Sequence, residues 1–366
     1  MIKKLLFVLM VYVIIFNSYS DPLSANTNPV IEHRLGMNIE ASIQEYLEAS
    51  EAVGAAVGVI DQGKIQFFYY GKKSIHHGEP ISENTIFEIG SITKVFTTLI
   101  LMDMATNDDV KLDEPIETYL PDIKIPEFEG KKITLRHLAT HHSGLPSLPD
   151  NFNPKNLMNP YEDYTTGNLY HFLSHYNLQR APEERFEYSN VGFGLLGHIL
   201  SKKAGVDYEE LVRKRICEKI GMKNTAITLS SQMEKHFAKG HHQKEEMPHW
   251  DIPTLAGAGA LRSNIKDMTQ FLAASMGLLK NSPISDLLKQ CQKKQYESEQ
   301  ILGDIGLGWI ISHPNKADII WHNGGTGGFK TFLGFNPNTQ KGIVVLLNST
   351  EGWSDAFSFY LLCSET

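Results

Sequence analysis

FEIGSITKVF, residues 87–96, sets Ser91 three residues ahead of Lys94 at the head of an apolar helical pattern. If Ser91 opens the helix that follows the strand-like TIFEIG (85–90), the two side chains share one helix face. A serine alkoxide is not available near neutral pH without a base. A lysine amine can be that base once desolvation or nearby positive charge lowers its pKa. A serine at a helix start also places its backbone N–H, and any negative charge developing beside it, at the positive end of the helix dipole. The same residue fits the simpler role of N-cap, so the spacing alone leaves both readings open.

Two later segments carry matching chemistry. In FEYSNVGFGLLG (186–197), Tyr188 and Asn190 stand two apart before an apolar, glycine-rich helix. In an extended segment such residues face the same way. A phenolate-leaning Tyr188 beside Lys94 can relay a proton to a leaving group, and Asn190 can hold Lys94 or a substrate amide. The alternative is an aromatic turn followed by an Asn cap. In IIWHNGGTGGFKTFLGFNP (319–337), His322 ends a strand and Gly324, Gly325, Gly327 and Gly328 follow. Glycines let a substrate approach the backbone and pair along a strand edge. The Gly325 N–H can then be a second oxyanion donor beside that of Ser91. A plain glycine-rich hairpin is the competing reading. A phosphate loop is excluded, because GGTGG lacks the spacing and the Gly-Lys-Ser/Thr end.

Taken in this order, the three segments resemble the serine penicillin-recognising enzymes, especially class C β-lactamases and their relatives among D-amino-acid peptidases and esterases. Ser-Ile-Thr-Lys (91–94) is similar to the nucleophile motif and Tyr-Ser-Asn (188–190) to the second motif. His-Asn-Gly (322–324) stands where Lys-Thr-Gly is usual. ITLRHLATHHSGLP (133–146) and LAGAGALRSNIKDMTQF (255–271) add to the likeness, which covers roughly residues 36–362. The resemblance implies a catalytic set of Ser91 as acylated nucleophile, Lys94 as general base and Tyr188 as its partner and proton donor. It implies substrate binding by Asn190, His322 and Gly324, and an oxyanion hole from the N–H groups of Ser91 and Gly325. Neither metal nor cofactor is required. Thr93, where Ser or Ala is common, is a mild departure. His322 in place of lysine is larger, because an unperturbed histidine is mostly neutral at pH 7 and binds a substrate carboxylate less strongly.

Ile39, Ile43 and Leu47 mark an amphipathic helix over 36–50. AAVGVI (55–60) and KIQFFYYG (64–71) flank Asp61-Gln62-Gly63 as a hairpin. Residues 308–312, 319–322, 329–336 and 342–347 read as strands, with Asn336-Pro337-Asn338 as a turn, and 353–362 as a closing helix. Helices are expected at 92–105, 134–140, 166–175, 191–204, 207–219 and 264–276. The predicted fold class is α/β: an antiparallel sheet flanked by helices, with an inserted mainly helical domain, β-lactamase/transpeptidase-like. The expected division is 21–90 with 306–366 for the sheet domain and 91–305 for the helical domain, the active site lying at their junction.

The first 20 residues are a different object. Lys3 and Lys4 precede an apolar run from Leu5 to Phe16, and Ser18 and Ser20 give a small-x-small pattern. This is a secretory signal by pattern, and the run is short for a membrane span of about 20 residues. The expected place of work is periplasmic or secreted, with the membrane met only during export. The 366 residues carry net charge −8 with 42% hydrophobic side chains, which excludes a disordered chain and makes nucleic acid a poor partner. The expected function is opening of a β-lactam amide through a Ser91 acyl-enzyme; the alternatives are a D-alanyl-type peptidase or small-ester hydrolase at the same site and a non-catalytic cell-wall-binding or interaction protein. The expected partner is a small molecule, a β-lactam or a D-amino-acid peptide or ester, bound by a monomer. Cys217, Cys291 and Cys363 are too few for a disulfide scaffold and are read as buried apolar residues. His137/His141 and His171/His175 are each four apart, but neither pair has the glutamate of a zinc-peptidase motif. His76, His77, His241, His242 and His249 are expected on the surface or in loops.

Overall fold

The computed structural model describes residues 39–364 apart from 51, 77 and 302. The expected signal segment lies outside the described residues. Among the described residues twelve strands run in chain order: β1 (Gly54–Asp61), β2 (Lys64–Gly71), β3 (Phe87–Glu88), β4 (Gly240–His242), β5 (Glu245–Met247), β6 (Arg262–Ser263), β7 (Tyr296–Ser298), β8 (Gly303–Ile305), β9 (Ile310–Ser312), β10 (Ile319–Gly325), β11 (Lys330–Asn336) and β12 (Lys341–Leu347). Eight of them form one antiparallel sheet in the order β2-β1-β12-β11-β10-β9-β8-β7. The first and last of these strands in sequence, β1 and β12, therefore pair directly, one strand in from the β2 edge, with Ala55 opposite Leu347 and Val59 opposite Ile343.

The β1–β2 hairpin closes on Gln62 and Gly63, whose φ angles are both positive (47° and 77°), as a two-residue turn between right-twisted strands requires. Side chains of β1 and β12 alternate between two cores. Val57, Val59, Ile343 and Val345 face α1 (Ile39–Glu48) and the closing helix Asp355–Cys363, meeting Ile43, Leu47, Phe357 and Leu361. Ala56, Ile60, Val344 and Leu346 face the other core, which contains Phe96 and Leu99 of α2 (Thr93–Thr106) and Ile265, Phe271 and Leu272 of the helix Ile265–Ser275. The architecture is thus an antiparallel sheet flanked by helices, with a mainly helical region inserted between its strands, as expected from sequence.

Helix α2 is buried on all sides from Thr93 to Met104, which a surface helix would not tolerate. Its polar side chains are satisfied internally. Thr97 donates to the Gly257 carbonyl at 2.7 Å and Thr98 to the Leu307 carbonyl at 2.9 Å. The helical region continues with α3 (Leu135–Ala139), α4 (Thr166–His175), α5 (Asn190–Ala204), α6 (Tyr208–Val212), α7 (Glu218–Ile220) and α8 (Ser231–His236), of which α5 and α6 pack directly on α2. They are followed by α9 (Ala256–Gly259), α10 (Ile265–Ser275), α11 (Ser285–Cys291) and, at the end, α12 (Asp355–Cys363). The helix expected over 207–219 is broken by a π-turn at Arg213–Cys217.

Three expectations need correction. Strands β7 and β8 belong to the sheet yet precede residue 306. His241 is fully buried rather than a surface residue: its Nδ1–H reaches the Asn348 carbonyl at 2.7 Å and its Nε2 accepts the Ile75 N–H at 3.2 Å. Cys217 and Cys291 are buried free thiols, but Cys363 is only partly buried.

Candidate active site

Ser91 lies in a single 3-10 turn, Gly90–Ile92, between β3 and α2. β3 is pinned by pairing with β6, and the Ile89 carbonyl accepts the Thr331 hydroxyl of β11 at 3.0 Å. The turn is therefore gripped from the helical region and from the sheet at once. Gly90 has φ +57°, and a Cβ there would fall 2.6 Å from the nitrogen and 2.7 Å from the oxygen of Gly325. A Cβ on Gly324 would fall 2.0 Å from the Ile89 oxygen and 2.8 Å from the Ser91 nitrogen. The end of β10 thus presses backbone to backbone against the serine turn, an approach only glycine permits. Gly324 and Gly325 sit beside Ser91, as anticipated.

Lys94, in the first turn of α2, is completely buried and makes three hydrogen bonds. Nζ donates to Asn190 Oδ1 at 2.8 Å and to the Ala258 carbonyl at 2.7 Å, and shares a third hydrogen bond with Ser91 Oγ at 3.0 Å. It also stands 4.8 Å from the centre of the Tyr188 ring. Burial alone drives its pKa well below the ordinary lysine range. The partners then fix what the neutral amine does. The Asn190 and Ala258 oxygens can only accept, so each takes an amine proton. Ser91 is the one partner able to donate, so the lone pair faces its hydroxyl. Burial and hydrogen-bond identity together aim a base at Ser91 Oγ.

Helix α5 brings in the second segment. Ser189 is its N-cap, accepting the Gly192 N–H at 2.9 Å and donating to the Pro146 carbonyl at 2.6 Å. The cap is the serine between the two candidates, which frees Tyr188 and Asn190 to face Lys94. Burial raises the Tyr188 phenol well above its usual pKa, a hydrogen bond with Ser91 opposes this, and the nearby Tyr161 adds to the rise. Tyr188 is therefore a neutral phenol at rest, and the expected phenolate character is not what its surroundings produce. The ring suits donating a proton.

His322 is 1% exposed. Its Nδ1–H donates to the Asn323 carbonyl at 2.6 Å, leaving Nε2 as the acceptor nitrogen. Burial lowers its pKa to about 3, helped by Lys94 when that amine is protonated. The imidazole is neutral at any physiological pH, so the position offers a lone pair where lysine would offer a cation. Its ring centre lies 6.3 Å from that of Tyr188.

Sequence reasoning missed one contributor to this cluster, the Ala258 carbonyl. It is delivered by close packing of α9 on α5, where a Cβ at Gly197 would fall 2.9 Å from Gly257 Cα. The signal was the small-residue run AGAGA (256–260) paired with the glycines of α5. The histidine pairs do not form a metal site. His137 bonds Glu183 through Nε2 at 2.9 Å and accepts the Thr134 N–H through Nδ1 at 3.1 Å. Exposed His175 instead turns its Nδ1–H to the His171 carbonyl at 2.8 Å. Among the described residues no group of three or more His, Cys, Asp or Glu is arranged to hold a metal ion.

The family model described as Beta-lactamase matches residues 39–361. The chain belongs to the Beta-lactamase family. Membership carries the serine-hydrolase type of mechanism. Among curated relatives of this Beta-lactamase-family chain, a β-lactamase of Pseudomonas fluorescens is 26% identical over 343 residues, spanning 85% of this chain and 92% of its own. The D-alanyl-D-alanine-carboxypeptidase/endopeptidase AmpH of Escherichia coli (strain K12) is also 26% identical, over 333 residues, spanning 87% of this chain and 86% of its own. A β-lactamase/D-alanine carboxypeptidase from Yersinia pestis, solved with citrate, superposes with TM-score 0.78 at 24% identity, covering 91% of this chain and 95% of that one. That likeness is one of fold.

Proposed function

We propose that the chain is a serine hydrolase that opens the β-lactam amide through an acyl-enzyme on Ser91. The observation that carries this is the hydrogen-bond set of Lys94, in which two obligate acceptors direct the amine lone pair at the serine hydroxyl. Lys94 takes the Ser91 proton as Oγ attacks the lactam carbonyl. The oxyanion is held by the N–H groups of Ser91 and Gly325. The C–N bond then breaks, and the nitrogen takes a proton from Tyr188, which recovers one from the Lys94 ammonium. Asn190 and Gly324 border the acyl group, and His322 accepts a hydrogen bond near the substrate carboxylate. Water activated by the Tyr188/Lys94 pair releases the ring-opened acid and restores Ser91. General acid–base steps of this kind contribute about 10²–10⁴-fold each. The protein works as an exported monomer, periplasmic or secreted.

A second reading uses the same site on D-alanyl peptides or small esters. The neutral His322 favours it, because a β-lactam carboxylate finds no fixed cation at that position. Similarity to the AmpH carboxypeptidase points the same way. A chromogenic cephalosporin and a p-nitrophenyl ester, each tested with the wild type and Ser91→Ala, separate the readings. Rapid cephalosporin turnover lost in the variant supports the first. Ester turnover alone supports the second, and slow stable acylation points to a peptidase. Turnover of either substrate that survives in Ser91→Ala contradicts both.

A further inference from the structure

His141 lies outside every role assigned so far, yet it grips three consecutive residues of the second segment. Its carbonyl accepts the Glu187 N–H at 2.8 Å, and its Nδ1 accepts the Ser189 N–H at 2.9 Å. Between these two bonds its ring stacks on Tyr188, with centres 4.3 Å apart and planes 28° apart. Phe193 and Phe186 close the other sides at 4.7 and 5.4 Å. The residue is 5% exposed and holds φ at +62°, a conformation a non-glycine residue adopts at an energetic cost. Because Nδ1 accepts, the proton sits on Nε2, which is buried without a partner among the described residues. Strain and an unmet donor in one side chain are costs the helix α5 cap does not require, since Ser189 already provides it.

We propose that His141 is a positioning residue that fixes the Tyr188 hydroxyl for proton transfer to the leaving group. The proposal rests on the reading of Ser91 and Tyr188 given above. A neutral imidazole is essential to it, because a protonated Nδ1 would face the Ser189 N–H donor against donor. Burial, with Lys94, His322 and His142 close by, keeps the ring well below its ordinary pKa.

The test compares His141→Phe, which keeps a stacking ring but has no acceptor, with His141→Asn, which tolerates the left-handed backbone but has no ring. Each is assayed on a p-nitrophenyl ester, whose leaving group needs no proton, and on an alkyl ester of the same acid, whose leaving group does. Circular dichroism and thermal unfolding confirm folding. The expected result is a kcat loss of about tenfold or more on the alkyl ester and threefold or less on the p-nitrophenyl ester, with KM little changed. Equal losses on both esters in a folded variant, or wild-type rates on both, overturn the proposal. If Ser91→Ala leaves ester turnover intact, the nucleophile assignment itself fails and this inference fails with it. That outcome is distinct from an inactive Ser91→Ala beside unaffected His141 variants.

Discussion

Replacing Gly90 by alanine perturbs the backbone contact between the serine turn and the end of β10. The residue has φ +57°, which costs an L-side chain about 1–2 kcal/mol. The new Cβ would also meet Gly325 nitrogen at 2.6 Å and oxygen at 2.7 Å. Ordinary carbon contacts begin near 3.5 Å, so the two strands of backbone must part by roughly 0.8 Å. That displacement moves the Gly325 N–H away from Ser91. Misplacing a reacting group by about 1 Å can cost 10²-fold, and loss of one oxyanion donor costs about 10²–10³-fold. Gly63→Ala supplies the control, because Gly63 has φ +77° with nothing within 4 Å of a new Cβ. Both variants carry similar backbone strain and are expected to lose a few degrees of Tm. Only Gly90→Ala is expected to lose kcat, by about 100-fold, with KM near that of the wild type. Steady-state kinetics and thermal unfolding on the two purified variants decide it. Equal kcat values for both, or a wild-type rate in Gly90→Ala, would refute the assignment of Gly325 as an oxyanion donor.

Other expectations follow from the same geometry. Lys94→Gln removes the base and is expected to lower kcat by about 10²-fold or more, measured as the rate of acylation. Because the neutral amine is the base, kcat/KM rises as pH increases through the Lys94 pKa, and its ascending limb should be complete well below the ordinary lysine range. An ascending limb centred near pH 10 would contradict this. His322→Lys places a cation where the imidazole is neutral and is expected to lower KM for a carboxylate-bearing β-lactam on the order of tenfold, with the gain shrinking in salt. No change at any pH would remove the charge argument for this position. Glu88, three residues before Ser91, has its pKa raised to about 7 by burial, partly opposed by Arg262 and by hydrogen bonds from Thr326 and the Trp250 N–H. Between its unfolded pKa near 4.5 and its folded value, the native state holds the proton and the unfolded state does not. Stability should therefore fall as pH rises through that window, by up to roughly 3 kcal/mol. Denaturant midpoints from pH 4.5 to 8 should lose this component in Glu88→Gln, and an unchanged slope would contradict it.

Much of this molecule is legible in its sequence, for reasons that differ from place to place. Asp61-Gln62-Gly63 marks the hairpin because two successive positive φ angles leave few residue choices. The helix after Ser91 is legible from the unbroken helix-compatible pattern over 92–105, and the grouping of Ser91, Lys94, Tyr188 and Asn190 from their residue types and order. Strands β7 and β8 escaped because Tyr296–Ser298 and Gly303–Ile305 are too short to display alternation. The Ala258 carbonyl escaped because a backbone acceptor leaves no trace in side-chain identity. His141 and His241 escaped because sequence spacing cannot tell a buried imidazole from an exposed one. The electrostatic state of the site was also hidden. Burial, which no motif encodes, is what makes Lys94 basic at the right pH, Tyr188 a phenol and His322 neutral.

The central claim is that Ser91 is acylated by a β-lactam. Intact-protein mass spectrometry after mixing with benzylpenicillin, with a rapid acid quench, tests it most directly. The expected result is a mass increase of one penicillin on the wild type, located by peptide mapping in the fragment containing Ser91 and lost in Ser91→Ala. An adduct that persists in Ser91→Ala, or no adduct together with no penicillin turnover, would contradict it.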